Sequence, residues 1–144
     1  GFPGETEEEH DELKEFVKEM QFDRLGVFTY SREDDTPAAK MKNQIHKHIK
    51  KRRQAEIMEL QQMIAFEHAK DKISRKLKVM IEGKLPPEDN ADQTKNVYVG
   101  RTYMDAPNVD GFIFVQTQAE LMSGELVDVI VTDAKEYDLI SELV

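Results

Sequence analysis

The sequence predicts two successive folds, an α/β segment over residues 1–72 and an all-β, five-stranded barrel over residues 73–144. Three observations carry this prediction: an amphipathic helical pattern feeding the apolar run Leu25 to Tyr30, a longer helical pattern ending near Asp71, and a switch of hydrophobic period from about 3.6 to 2 after Ser74.

The first helix opens at Thr6-Glu7-Glu8-Glu9, a capping box in which Thr6 accepts from the third helical N–H and Glu9 reaches back. Leu13, Phe16, Val17 and Met20 follow at i, i+3, i+4 and i+7, which predicts one buried face. Leu25-Gly26-Val27-Phe28-Thr29-Tyr30 then reads as a parallel-sheet strand, so helix and strand together form the second half of a βαβ unit. Ser31 to Asn43 is a charged loop. Gln44 to Asp71 is the second helix, with Ile45, Ile49, Ile57, Leu60 and Ile64 on one apolar line and Met58, Met63 and Phe66 on another.

The β segment alternates from Leu77 through Val79 to Ile81. Val97 to Tyr103, Phe112 to Gln116, Leu126 to Thr132 and Asp138 to Val144 supply four more short strands. Turn chemistry separates them at Gly83 to Asn96, Asp105 to Asn108, Ser123-Gly124 and Asp133-Ala134-Lys135. Five short strands in so few residues suit a small closed barrel of the OB type, because closure removes exposed edges.

Composition sets the outer bounds. There is no cysteine, which excludes disulfides, thiolate metal sites and cysteine nucleophiles within these residues. No apolar run approaches the roughly 18 residues of a membrane span and no signal peptide opens the chain, so the expected compartment is cytoplasmic, with no membrane partner. Residues 1–72 hold 13 basic and 16 acidic groups, residues 73–144 hold 7 and 13, for balances of −3 and −6 within a total of −9. The acidic second half repels phosphate backbones and attracts basic partners, making nucleic acid an unfavoured ligand. The chain begins without methionine on a glycine-rich turn, and it reads as the tail of a longer protein cut inside a ligand site.

Four clusters are candidates for chemistry. Gly1-Phe2-Pro3-Gly4-Glu5 is either a turn that brings backbone close to a ligand at a helix N-terminus or a plain strand-to-helix turn; spacing leaves both open. His46 and His48 fall about 200° apart on a helix, which argues against a shared metal, and Lys47, Lys50, Lys51, Arg52 and Arg53 are expected to pair with acids such as Glu56. Glu33-Asp34-Asp35 lacks the spacing of a calcium loop and reads as solvated surface. Arg101, Tyr103, Asp105, Asp110, Tyr137 and Asp138 gather near barrel strand ends, where they either meet a partner or pair with one another.

Gly1 to Thr6, Phe28-Thr29-Tyr30-Ser31, Thr36-Pro37-Ala38-Ala39, Leu60-Gln61-Gln62, Tyr98-Val99-Gly100-Arg101, Asp105-Ala106-Pro107, Val109-Asp110-Gly111 and Asp133 to Leu139 together resemble the C-terminal part of the radical-SAM methylthiotransferases. The Asp-Ala-Pro and Val-Asp-Gly segments favour the branch that modifies an aspartate of a small-subunit ribosomal protein over the tRNA-modifying branch. The resemblance implies that residues 1–72 finish a radical-SAM partial barrel and that residues 73–144 form a TRAM domain that docks the substrate, a basic ribosomal protein. It places Gly1, Phe2, Pro3, Gly4, Glu5, Phe28, Tyr30 and Ser31 beside S-adenosylmethionine; Arg101, Tyr103, Asp105, Asp110, Tyr137 and Asp138, read from their clustering at strand ends, are the candidate substrate contacts. It also implies iron–sulfur clusters in the full-length parent; their cysteines are absent here, so this chain alone is expected to hold no cluster and to be inactive. A tRNA methylthiotransferase and a free-standing binding module are the rival expectations. Val27 and Phe28 are covered in a complete barrel, so self-association through residues 1–45, or disorder there, is expected of the chain by itself.

Overall fold

A computed structural model describes residues 1–87, 94–105, 111–135 and 137–144. The elements are α1 (Glu7–Met20), a 3₁₀ turn (Ala38–Lys40), α2 (Lys47–Asp71), β1 (Lys76–Lys84), β2 (Asn96–Arg101), β3 (Ile113–Thr117), β4 (Leu126–Lys135) and β5 (Asp138–Leu143). The chain divides into two compact units, Gly1–Ala65 and Phe66–Val144. Among the described residues no helix is long and apolar enough to cross a membrane.

In the first unit, the Thr6 hydroxyl accepts from the Glu9 N–H at 3.2 Å and the Glu9 carboxylate accepts from the Thr6 N–H at 2.9 Å, completing the capping box. Gln21 closes α1 in the left-handed region at φ 51°. The face of α1 differs from the periodic expectation: His10 and Val17 are buried, whereas Leu13, Phe16 and Met20 are 40–50% exposed. The unit's apolar cluster, Val17, Ile57 and Ile64 with Leu25, Val27 and Leu60, reaches α1 only at Val17. His10 is instead buried with its Nε2 at 2.8 Å from Glu56 Oε2.

Leu25 to Tyr30, expected as a strand, lies in no sheet. It has no regular secondary structure and no neighbouring strand is described, and side chains of α2 take the place of a ladder: Gln54 Nε2 donates to the Val27 carbonyl at 2.7 Å and Lys50 Nζ to that of Tyr30 at 2.9 Å. α2 begins three residues later than expected, because the Gln44 side chain donates to the carbonyls of Ala38 and Met41. His46 consequently lies outside the helical period. Its ring meets that of His48 at 4.4 Å between centroids, with the two Nδ1 atoms 2.7 Å apart, so the expected divergence of this pair is corrected.

The second unit is the expected five-stranded barrel, closed in the order β1-β2-β3-β5-β4 with β4 paired back to β1. All pairs are antiparallel except β3 with β5. Val79, Ile81, Tyr98, Ile113, Val115, Val127, Val129, Val131 and Leu139 fill its interior together with Ala69. Each buried aliphatic side chain is worth about 1.5–3 kcal/mol. Tyr98 is buried with its hydroxyl satisfied, donating to Glu120 at 3.1 Å and accepting from the Leu121 N–H at 3.1 Å. Gly100 is required by close approach, since a Cβ there would strike Val79 Cγ1 and stand 2.8 Å from the Met80 carbonyl oxygen. Asp133-Ala134-Lys135, expected as a turn, are instead the last rungs of β4, paired with Ile140, Leu139 and Asp138 after a bulge between Val131 and Asp133.

Candidate functional site

The first unit contains a cavity of about 310 Å³ lined by the N-terminal turn, α1 at His10 and Leu13, the segment Val27 to Tyr30 and one face of α2. The turn is built by its sequence. Pro3 presets φ, Gly4 takes φ +87°, and the Glu5 N–H donates to the Phe2 carbonyl at 3.0 Å, the arrangement of a type II turn. The Gly4 N–H donates to the Asn43 carbonyl at 2.9 Å, tying the turn to the end of the loop before α2.

Of the residues expected beside a cofactor, Gly1, Phe2, Glu5, Phe28 and Tyr30 line this cavity. Pro3, Gly4 and Ser31 are not part of its wall. Pro3 is buried, Gly4 is exposed, and the Ser31 hydroxyl donates to Glu33 at 2.9 Å. The Phe2 and Tyr30 rings pack edge to face at 5.4 Å, and Lys50 Nζ lies 5.4 Å from the Tyr30 ring centroid. The Tyr30 hydroxyl is buried without a hydrogen-bond partner, whereas Phe28 is 90% exposed.

Electrostatics at the turn centre on Arg53, only 5% exposed. Its Nη1 donates to the Glu5 carbonyl at 3.0 Å and to Glu5 Oε1 at 2.7 Å, while Nη2 and Nε reach Glu7 Oε1 at 2.9 and 3.3 Å. Burial pushes the Glu5 carboxyl up, while the hydrogen bond and positive charge of Arg53 pull it down, and the group lies below its ordinary range. The hydrogen bond from Arg53, ahead of that from Arg52, likewise depresses Glu7. Glu56 is lowered chiefly by its bond to His10.

Lys50, Arg53 and Gln54 also line the cavity; the sequence pattern reads Lys50 and Arg53 as pairing with acids and does not single out Gln54. The signal was present: Arg53 and Gln61 continue the Ile57, Leu60, Ile64 stripe, where a helix ordinarily places apolar groups. Arg52 pairs with Glu56 at 3.0 Å as expected.

On the barrel, strand register places Arg101, Tyr103, Tyr137 and Asp138 at one end, where Gly100 pairs with Ile113 and Ile113 with Leu139. Several of their polar groups serve local structure. Asp105 Oδ2 accepts from the Thr102 N–H at 3.0 Å and hydroxyl at 2.7 Å, Asp138 Oδ1 accepts from the Phe112 N–H at 2.8 Å, and Arg101 pairs with Glu82 at 3.2 Å. The Tyr137 ring packs on Phe66 at 5.3 Å; Tyr103 is 90% exposed. Asp110 lies outside the described residues. Among the described residues no group of three or more His, Cys, Asp or Glu side chains is placed to hold a metal ion.

The TRAM domain family matches residues 73–144. Over 140 residues the chain is 66% identical to the ribosomal protein uS12 methylthiotransferase RimO of Lachnoclostridium phytofermentans, covering 97% of this chain and 30% of that protein. It is 49% identical over 142 residues to the protein of the same name from a Thermoanaerobacter species and 51% to that from Caldanaerobacter subterraneus, in each case covering 99% of this chain. The chain thus spans about a third of the length of these relatives. Because this family model covers half of the sequence, the half that folds as the barrel, the chain belongs to the TRAM domain family, and along its whole length it resembles a segment of the RimO-type uS12 methylthiotransferases.

Proposed function

We propose that this chain is the segment of a uS12 methylthiotransferase that completes the S-adenosylmethionine pocket and docks the ribosomal protein. The observation that carries this is the 66% identity over nearly the whole chain, which includes both the residues of the cavity and the barrel. The activity is that of the full-length protein, in which a methylthio group is installed on an aspartate of uS12.

The cavity's donor set suits S-adenosylmethionine. Phe2, Phe28 and Tyr30 offer aromatic faces to a purine, the Glu5 carboxylate is held ionised near the turn, and the Tyr30 hydroxyl is a buried polar group awaiting a partner. When bound there, the cofactor supplies the radical chemistry that abstracts hydrogen from an unactivated carbon. The chain's own share is binding and orientation: the type II turn presents backbone at the N-terminus of α1, and α2 fixes the walls. An iron–sulfur cluster does not fit these residues, since the chain has no cysteine to ligate it.

The barrel's balance of 7 basic to 13 acidic groups supports docking of a basic protein rather than tRNA. Arg101, Tyr103, Asp105, Asp110, Tyr137 and Asp138 are the proposed contacts. Binding of the 144-residue chain to purified uS12 and to tRNA, at two ionic strengths, tests this. The expected result is tighter binding to uS12 that weakens as salt rises. Preference for tRNA, or salt-independent binding to uS12, would contradict it.

A further inference from the structure

Three donors on one face of α2 reach three backbone carbonyls of cavity-lining residues. Lys50 Nζ donates to Tyr30 at 2.9 Å, Arg53 Nη1 to Glu5 at 3.0 Å and Gln54 Nε2 to Val27 at 2.7 Å. Their spacing, i, i+3 and i+4, puts them side by side on the helix. One wall of the cavity is the Gly1 to Glu5 turn and the other is the segment Val27 to Tyr30, so a single helix face holds both walls.

Ordinary stability explains this arrangement poorly. The cations stand in the first two turns of α2, at the end of the helix dipole that disfavours positive charge. A guanidinium as buried as that of Arg53 is desolvated, and an apolar side chain of similar volume would commonly serve stability as well. What an apolar side chain cannot do is fix the positions of carbonyls. Leu25 to Tyr30 has no ladder in the described structure, so its carbonyls take their positions from Lys50 and Gln54. Arg53 carries an additional constraint, since one planar guanidinium binds the Glu5 backbone, the Glu5 carboxylate and the Glu7 carboxylate together.

We propose that Lys50, Arg53 and Gln54 are positioning residues that set the separation of the two cavity walls and thereby preorganise the pocket for the adenosyl group of S-adenosylmethionine. This rests on the cofactor reading given above. They touch neither the reacting carbon nor the methylthio group, and they act through the backbone they hold.

The test uses the full-length enzyme with S-adenosylhomocysteine as an inert probe, measuring its equilibrium binding and, separately, binding of uS12. Loss of preorganisation in Arg53→Met is expected to weaken S-adenosylhomocysteine by about tenfold and leave uS12 binding unchanged within about twofold. Arg53→Lys restores part of the loss, because an ammonium replaces the charge but not the fork. Gln54→Met, which keeps side-chain length without the donor, weakens the probe by a smaller factor and decides the matter if Arg53→Met does not fold. Unchanged probe affinity in the folded variants would overturn the proposal, as would equal loss of probe and uS12 binding in both. Wild-type enzyme that binds uS12 but not S-adenosylhomocysteine would instead overturn the cofactor reading, and this inference with it.

Discussion

The two units satisfy their backbones in different ways. In the barrel each strand has a neighbour on both sides, so closure supplies its hydrogen bonds and the side chains are left to fill the core. In the first unit the segment Leu25 to Tyr30, which has no sheet, depends on Lys50 and Gln54, and just before it Gln61 Nε2 donates to the Phe22 carbonyl at 2.7 Å. A barrel is stabilised by what lies inside it and leaves its outer surface to partners. The first unit spends polar side chains on its own backbone, and its stability and its site draw on the same residues.

The contrast is broken most severely by core truncation. Ile81→Ala, at a site 1% exposed, should destabilise the barrel by about 2–5 kcal/mol, read from urea unfolding followed by methyl NMR signals of the barrel. Thr6→Ala removes the α1 cap and should lower the stability of the first unit by about 1 kcal/mol in the same experiment. Leu13→Ala, despite its place on the periodic stripe, should change stability by less than about 0.5 kcal/mol, because the side chain is 40% exposed. A core-sized loss at Leu13 would mean that α1 packs against more than the described unit shows.

Legibility in the sequence followed the same division. The barrel's five strands were visible because alternation and turn residues are local signals, and errors were confined to ends such as Asp133 to Lys135, where a bulge extends the ladder. The capping box was visible for the same reason. Hydrophobicity, however, shows that a segment such as Leu25 to Tyr30 wants cover without saying what supplies it, and the same limit applies to Leu13, Phe16 and Met20. The His46–His48 contact was hidden because it depends on where α2 starts. Five of the eight expected cofactor residues meet in the cavity, yet the helix face that lines it reads in sequence as a basic run that pairs with nearby acids.

Acid sharpens the comparison with a smaller effect. Glu5, Glu7, Asp11 and Glu56 in the first unit are held below their ordinary values by ion pairs and hydrogen bonds, and among the described residues of the barrel Glu120 is the counterpart, lowered first by Lys84. A carboxyl depressed in the folded state contributes stability that is present above its unfolded value, about 4, and is lost as pH falls through the folded value. The first unit should therefore lose protection from hydrogen exchange at higher pH than the barrel during acid titration. Simultaneous loss would show that these pairs contribute nothing to the difference. The smallest expected effect on folding, paired with a larger one on association, is Phe28→Ser. Removing this 90% exposed ring should leave the melting of both units unchanged while reducing self-association in sedimentation at high concentration.

Mass spectrometry of uS12 after anaerobic reaction with the full-length enzyme, S-adenosylmethionine, a one-electron reductant and a sulfide donor tests the central claim most directly. The account predicts that one aspartate of uS12 exchanges a hydrogen for a methylthio group and that tRNA in the same reaction is unchanged. Modification of tRNA with uS12 untouched would contradict it.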